Sequence, residues 1–432
     1  MLTTFYPPFS FGGDAVVVQR MARALAARGH DVTVAHDEDA FLTMGGEPPE
    51  AAPPLPPPPP DPPPPGADGV RVVGLRSRLG PLSSLLTQQL GRPVVHGARL
   101  RRLAARGRFD VVWHNNVSLL GGPGLLGLPG RLRVYEAHEH WLVCPTHVLM
   151  RHGLEPCDAR DCLRCVLAHR RPPQLWRQTG ALDRAVAGLD LVIAKSRFSR
   201  DKHRAFGFGP AMEVLPPFLP DLDLSTLPPP EAAARAVHPR PFFLFVGRLE
   251  RIKGVQDLIP AMARHPGADL LVIGEGEHGA ALRAQAAGEP RIRFLGRLPP
   301  DDLAPYYRGA LALLVPSICY ETFGAILIES FRMGTPVIAR RLGPFPEIVE
   351  AAGGGLLFGT GDELVAALAA IGGDPGRRAA LGAAARRAFE ALWREDRVLA
   401  AYGEAFARAA RAKGDAELAA LLERSFLDAR AA

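Results

Sequence analysis

The chain has 432 residues, 47% of them hydrophobic and 22% charged, which fits two ordinary soluble domains and excludes a fibrous or disordered polymer. Its formal charge is a mild +6 and only 7% of residues are aromatic, so the mix of basic and aromatic residues that grips single-stranded nucleic acid is missing and no nucleic-acid partner is expected. No apolar run reaches the length of a membrane span, and Met1-Leu2-Thr3-Thr4-Phe5 lacks the pattern of a signal peptide. A cytoplasmic location with reduced cysteines is therefore expected.

The chain opens on a loop, Tyr6-Pro7-Pro8-Phe9-Ser10-Phe11-Gly12-Gly13, that should follow a first strand. Only five residues precede it, so either that strand is very short or the true start lies upstream. Val16, Val17, Met21 and Leu25 recur at helical spacing over 15–28. Gly29 stands at the helix stop and a strand at 32–34 follows. Residues 48–65 are mostly proline and predict an extended surface insertion. Arg99, Arg101, Arg102, Arg106 and Arg108 form a basic run, read either as a solvated helix face or as peripheral contact with the inner membrane surface. Further strands are expected at 111–113, 132–135, 191–194, 242–246, 270–273, 292–295, 311–315 and 337–339. Short apolar strands alternating with helices predict parallel sheets buried on both faces.

Pro216-Pro217, Pro220 and Pro228-Pro229-Pro230 place a linker at 219–240, between an N-terminal domain over 1–218 and a C-terminal domain over 241–390. The expected fold class is α/β, two Rossmann-like domains facing across a cleft. Residues 391–432 read as amphipathic helices crossing back to the first domain.

Four of the five cysteines, Cys144, Cys157, Cys162 and Cys165, share the segment 142–173 in the pattern C-x12-C-x4-C-x2-C. Clustered thiolates can hold a structural zinc tetrahedrally, and reduced structural cysteines are the alternative. The runs Asp221-Leu222-Asp223 and Asp37-Glu38-Asp39 read as solvated acids, leaving no Asp-x-Asp metal site.

The chemistry concentrates in the second half. The run 242–246 leads into Gly247-Arg248-Leu249, with Lys253-Gly254 four residues on. Two cations near a strand end suit a diphosphate, Arg as a planar fork and Lys as a point charge. Gly274-Glu275-Gly276-Glu277-His278-Gly279 satisfies G-x-G-x-x-G, yet no acid ends the next strand, so a strand-to-helix turn competes with a dinucleotide site. The run Pro316-Ser317-Ile318-Cys319-Tyr320-Glu321-Thr322-Phe323-Gly324 leads to Glu329, with seven residues between the glutamates. Glu321 is expected in a loop beyond a strand, where open α/β sheets bind ligands, and Glu329 about two turns into a helix. Read alone, the pair suits general acid/base work or a polyhydroxylated ligand.

The order of Gly247-Arg248-Leu249, Lys253-Gly254, Pro316-Ser317, Glu321-x7-Glu329, Gly334-Thr335-Pro336 and Pro346-Glu347-Ile348-Val349 resembles glycosyltransferase family 4, as does Gly12-Gly13 followed by a helix and Arg28-Gly29-His30-Asp31-Val32. The resemblance implies a GT-B fold and a retaining, metal-independent transferase of hexosyltransferase type with a nucleotide-sugar donor. Arg248 and Lys253 would then hold the donor diphosphate, with backbone N–H groups of Phe323 and Gly324. Glu321 would hold the transferred sugar, and Glu329 the ribose hydroxyls. Gly12 and Gly13 would admit donor phosphate or acceptor closely. His138 in Tyr135-Glu136-Ala137-His138-Glu139-His140 resembles the family's active-site histidine, with Glu139 in place of the usual acid and His140 as the competing assignment. The acceptor would be a glycan, a glycolipid or a small molecule. A catalytically inactive nucleotide-sugar-binding protein and a dinucleotide-dependent oxidoreductase are the rival readings.

Overall fold

The structure is a computed structural model that describes residues 1–45, 63–153 and 155–427. Most of the proline-rich insertion expected at 48–65 lies outside the described residues. By internal contacts the chain divides into two units, 1–153 with 159–216 and 398–432, and 154–158 with 217–397. No described helix is long and apolar enough to cross a membrane.

The first unit is built on a parallel sheet. Val70–Leu75 pairs with Val32–Asp37, and Val111–His114 pairs with Leu132–Ala137, then Leu191–Ala194 and Glu213–Val214. Residues 2–4 join the two groups: Leu2 bridges Ala35 on one side and His114 on the other. Leu2 thus lies centrally, between the two strand groups. Strand Val70–Leu75 was not among the expected strands, although only four residues separate its Val-Arg-Val-Val pattern from the prolines.

In the second unit the strand order is Ile292–Gly296, Asp269–Ile273, Phe242–Val246, Leu313–Val315, Val337–Arg340 and Gly355–Phe358, all parallel. In sequence terms this is 3-2-1-4-5-6, so the strand order reverses between Phe242–Val246 and Leu313–Val315. The unbroken apolar run of Phe242–Val246 follows from burial on both faces: Phe242 and Leu244 enter one core, Phe243 and Phe245 the other.

The expected linker at 219–240 is corrected. It belongs to the second unit and carries helix Pro230–Val237. That helix lies so close to helix Ala304–Gly309 that a Cβ on Gly309 would stand 2.6 Å from Ala234 Cα. At the C-terminus, helices Glu395–Ala412 and Ala416–Leu427 follow. Residues from 398 onward count with the first unit, where Trp113 packs on Tyr402 and Phe406. The segment 142–173 holds a two-residue strand pair, Met150–Arg151 with Glu155–Pro156, and helix Cys162–Ala168. Arg101, Arg102 and Arg106 are exposed on helix Gly97–Gly107, whose Leu100 and Leu103 are buried, as a solvated helix face requires.

Candidate active site

In the second unit the candidate donor residues gather where the strand order reverses. Beyond Phe242–Val246 the chain turns through Arg248 into a short 3-10 turn, Arg251–Lys253, and Gly254 starts helix Val255–Ala263. Beyond Leu313–Val315 it runs through Ser317 and Glu321 to Gly324, which starts helix Ala325–Arg332. The two loops are tied together by the Ile318 N–H donating to the Ile252 carbonyl at 2.9 Å.

Lys253 Nζ donates to Glu321 Oε1 at 2.5 Å, and Ser317 Oγ approaches the same oxygen at 3.4 Å. Both charged side chains remain about a quarter exposed, at 23% and 24%, so the pair is held but reachable. Burial works against each charge, yet Glu321 keeps Lys253 above its usual value and Lys253 holds Glu321 below the usual carboxylate range. The Arg248 charge adds to the effect on Glu321. Arg248 itself is half exposed and ion-paired with Glu250.

Glu329 is the fifth residue of its helix, just over one turn in rather than the two expected. Its Oε2 accepts a 2.8 Å hydrogen bond from the buried Tyr307 hydroxyl, which aims the carboxylate. Tyr307 was missed, because nothing local links residues 22 apart. The Ala325–Arg332 helix begins at Gly324 with φ +88° and no side-chain cap. Its first N–H groups are donors that no side chain at the cap engages, a setting that favours an anion.

The G-x-G-x-x-G run has a packing explanation. A Cβ on Gly274 would stand 1.9 Å from the Gly247 carbonyl oxygen, and one on Gly276 would stand 2.6 Å from that of Leu249. Leu249 N–H donates to the Glu275 carbonyl at 2.9 Å. The first two glycines therefore let this turn lie flat against the Arg248 loop.

In the first unit, Gly12 and Gly13 start helix Gly13–Ala26 without a side-chain cap. Gly12 is extended at φ −154°, and a Cβ on Gly13 would meet nothing within 4 Å. Nothing in the fold demands glycine there. His138 is buried, with Nε2 2.9 Å from Asn115 Oδ1 and 3.6 Å from Glu136 Oε1. Glu139 turns instead to His147, at 2.8 Å from its Nδ1. His140 packs on the His203 ring, 5.2 Å between centroids. Glu136 also receives Lys195 Nζ and, at 2.8 Å, the Tyr402 hydroxyl.

The cysteines do not assemble as expected. All are free thiols. Cys144 lies 3.2 Å from Thr146 Oγ1, while Cys165 accepts from His152 N–H and sits 3.5 Å from the Met150 carbonyl. Burial raises the Cys162 thiol, and the proximity of Cys144 and Cys165 raises it further. Among the described residues no three of the thiols converge as one set of ligand atoms. The one group of three convergent donors there is Asp37, Asp39 and His96. This corrects the reading of Asp37-Glu38-Asp39 as solvated. Asp37 is buried and caps helix Glu38–Thr43, while Asp39 accepts from Ser77 Oγ at 2.6 Å and lies 3.1 Å from His96 Nε2. Its oxygens are already committed within the fold.

Residues 11–221 match the family model "Glycosyltransferase Family 4", and residues 231–388 match "Glycosyl transferases group 1". The chain is 30% identical over 402 residues to a D-inositol 3-phosphate glycosyltransferase of Xylanimonas cellulosilytica, covering 87% of each chain. It is 27% identical over 371 residues to a glycogen synthase of Mycobacterium tuberculosis, covering 81% of this chain and 79% of that one. Among solved structures, sucrose-phosphate synthase from Thermosynechococcus elongatus superposes with TM-score 0.69 at 21% identity, over 95% of this chain and 98% of that one. An Anabaena protein solved with UDP superposes with TM-score 0.60 at 18% identity, over 96% and 98%. The structural likenesses establish the GT-B fold, and together with the sequence matches they show that the chain belongs to glycosyltransferase family 4, as a group 1 glycosyltransferase.

Proposed function

We propose that this enzyme is a retaining, metal-independent transferase that moves a sugar from a nucleoside diphosphate sugar to a hydroxyl acceptor, either a small polyol phosphate or a glycan precursor. The observation that carries this is the Lys253–Glu321 pair at the point where the strand order reverses, with Tyr307-aimed Glu329 on the adjoining helix. Donor diphosphate binds Arg248, Lys253 and the N–H groups at Phe323 and Gly324. These preorganised donors stabilise the charge that builds on the leaving diphosphate. Glu321 accepts from the sugar hydroxyls and Glu329 from the ribose hydroxyls. The acceptor oxygen forms the new C1–O bond on the face the phosphate leaves, and its proton passes to the departing phosphate oxygen. Neither glutamate transfers a proton.

Relatives named D-inositol 3-phosphate glycosyltransferases favour a polyol phosphate acceptor, and the Anabaena protein solved with UDP-glucose makes a uridine donor the first to test. The test is release of UDP from UDP-glucose with and without inositol phosphate, with the product's anomeric configuration read by NMR. Retention of the α configuration supports the proposal, and inversion overturns it. Failure to release diphosphate from any nucleotide sugar would favour an inactive binding protein. Chelation by EDTA is expected to leave the rate unchanged. A loss restored by magnesium or manganese would refute metal independence.

A split between the glutamates is also expected. Glu329→Ala raises the nucleotide Kd by about ten- to a hundredfold, since a carboxylate hydrogen bond is worth about 1.5–3 kcal/mol. Glu321→Gln leaves nucleotide affinity near wild type and lowers kcat. Calorimetric titration with UDP, run beside the transfer assay, separates the two.

A further inference from the structure

The first unit contains a fully buried ionic group that the donor chemistry does not use. Glu136 is the last residue but one of strand Leu132–Ala137, Lys195 follows strand Leu191–Ala194, and Tyr402 lies on helix Glu395–Ala412. Glu136 Oε1 receives Lys195 Nζ and the Tyr402 hydroxyl, and Lys195 Nζ lies 2.8 Å from that hydroxyl. Lys195 is 2% exposed, as is Glu136. A buried ion pair is not retained for stability alone, because well-packed apolar residues usually replace it at no loss.

The same Glu136 oxygen lies 3.6 Å from His138 Nε2, and Asn115 Oδ1 lies 2.9 Å from it. The Asn115 amide is turned so that its Nδ2 faces the Leu2 and Trp113 carbonyls. Nε2 therefore faces two acceptors and carries the proton, which makes Nδ1 the nitrogen that titrates. We infer that Glu136, Lys195 and Tyr402 are positioning residues: they hold His138 in the Nε2–H tautomer and fix the face it offers to ligand. This rests on the reading of His138 as the active-site histidine.

The charged groups acting on His138 are Glu136, Lys195, Asp14 and Glu139. Burial lowers its basicity, Glu136 raises it and Lys195 lowers it. Asp14 stands beside Gly13 on helix Gly13–Ala26 and accepts from Asn116 Nδ2 at 3.1 Å, so the Gly12-Gly13 corner and His138 share one electrostatic neighbourhood.

The test uses the full chain labelled with 15N-histidine, with His138 assigned from His138→Gln. Two variants are compared. Glu136→Gln/Lys195→Met removes both charges together and avoids an unpaired buried ion. Tyr402→Phe keeps the ring against Trp113 and Phe406 and removes only the hydroxyl. In wild type, long-range 1H–15N spectra should show Nε2–H. In Glu136→Gln/Lys195→Met the tautomer should become mixed or the His138 midpoint should move by about one unit. The kcat of transfer should fall about tenfold or more while the UDP Kd stays unchanged. Tyr402→Phe should shift both readouts in the same direction by less, and it decides the matter if the double variant does not fold. Wild-type tautomer and midpoint in the folded variants would overturn the inference. If wild type transfers no sugar the proposed function fails, but the tautomer spectra still decide the positioning role.

Discussion

Replacing Lys253 by methionine is expected to lower kcat/KM by two to three orders of magnitude, roughly the loss seen when one preorganised donor to a developing oxyanion is removed. Methionine keeps most of the stem volume and removes the charge. Two effects add. The leaving diphosphate loses its point charge, and Glu321 loses the partner that holds it ionised at 2.5 Å. In wild type, burial raises the Glu321 carboxyl, and Lys253, aided by Arg248 and Ser317, more than offsets this. Without Lys253 the burial effect dominates and the Glu321 pKa moves up, so the acid limb of the rate profile should move to higher pH. A pH–rate series on Lys253→Met beside Lys253→Met/Glu321→Gln reads both effects. The upward shift should be present in the first and absent from the second. A rate within fivefold of wild type at pH 7 would remove Lys253 from the donor site.

Some of this site was legible in the chain and some was not, for physical reasons. The strand 242–246 and the Glu321-x7-Glu329 spacing were readable because they are local, set by short-range periodicity and by ligand chemistry that demands fixed residue types. The placing of Arg248 and Lys253 just beyond that strand was readable for the same reason. The supporting contacts were not. Tyr307 reaches Glu329 across 22 residues, and Tyr402 reaches Glu136 across 266. Such pairings depend on how helices dock on the sheet, which no window of sequence contains. The cysteines show the same limit from another side. Their spacing invites a metal, but the strand pair Met150–Arg151 with Glu155–Pro156 and the helix Cys162–Ala168 direct the thiols to separate partners. The same holds for Asp37 and Asp39, acidic residues that read as solvated until Ala40 N–H, Ser77 and His96 are found around them. The Gly274–Gly279 run was ambiguous because glycine permits both a close ligand and a close backbone, and only the 1.9 Å approach of its would-be Cβ to Gly247 separates them.

Gly254→Ala should show how tightly this site is bound into the fold. Gly254 sits at φ +76°, and an alanine Cβ there would stand 2.1 Å from the Pro316 carbonyl oxygen. A left-handed non-glycine residue costs about 1–2 kcal/mol, and forcing an extra methyl into a packed interior costs about 1–3 kcal/mol more. The clash is with backbone, so no rotamer relieves it. Relief comes only by moving the Pro316–Glu321 loop away from helix Val255–Ala263, and that motion separates Lys253 from Glu321. The expected result is a loss of about 3 kcal/mol in the denaturant transition of the second unit, followed through Trp393, which is buried in that unit's core. The kcat should fall at least a hundredfold even where the protein is fully folded, because a misplacement of about 1 Å is enough to cost that much. Gly288→Ala serves as the control in the same unit. Its Cβ would meet nothing within 4 Å, and its stability should stay within about 0.5 kcal/mol of wild type. If Gly254→Ala folded with wild-type stability and rate, the two loops would be free to move apart. The close packing of Gly254 under Pro316 would then not be what sets the Lys253–Glu321 distance.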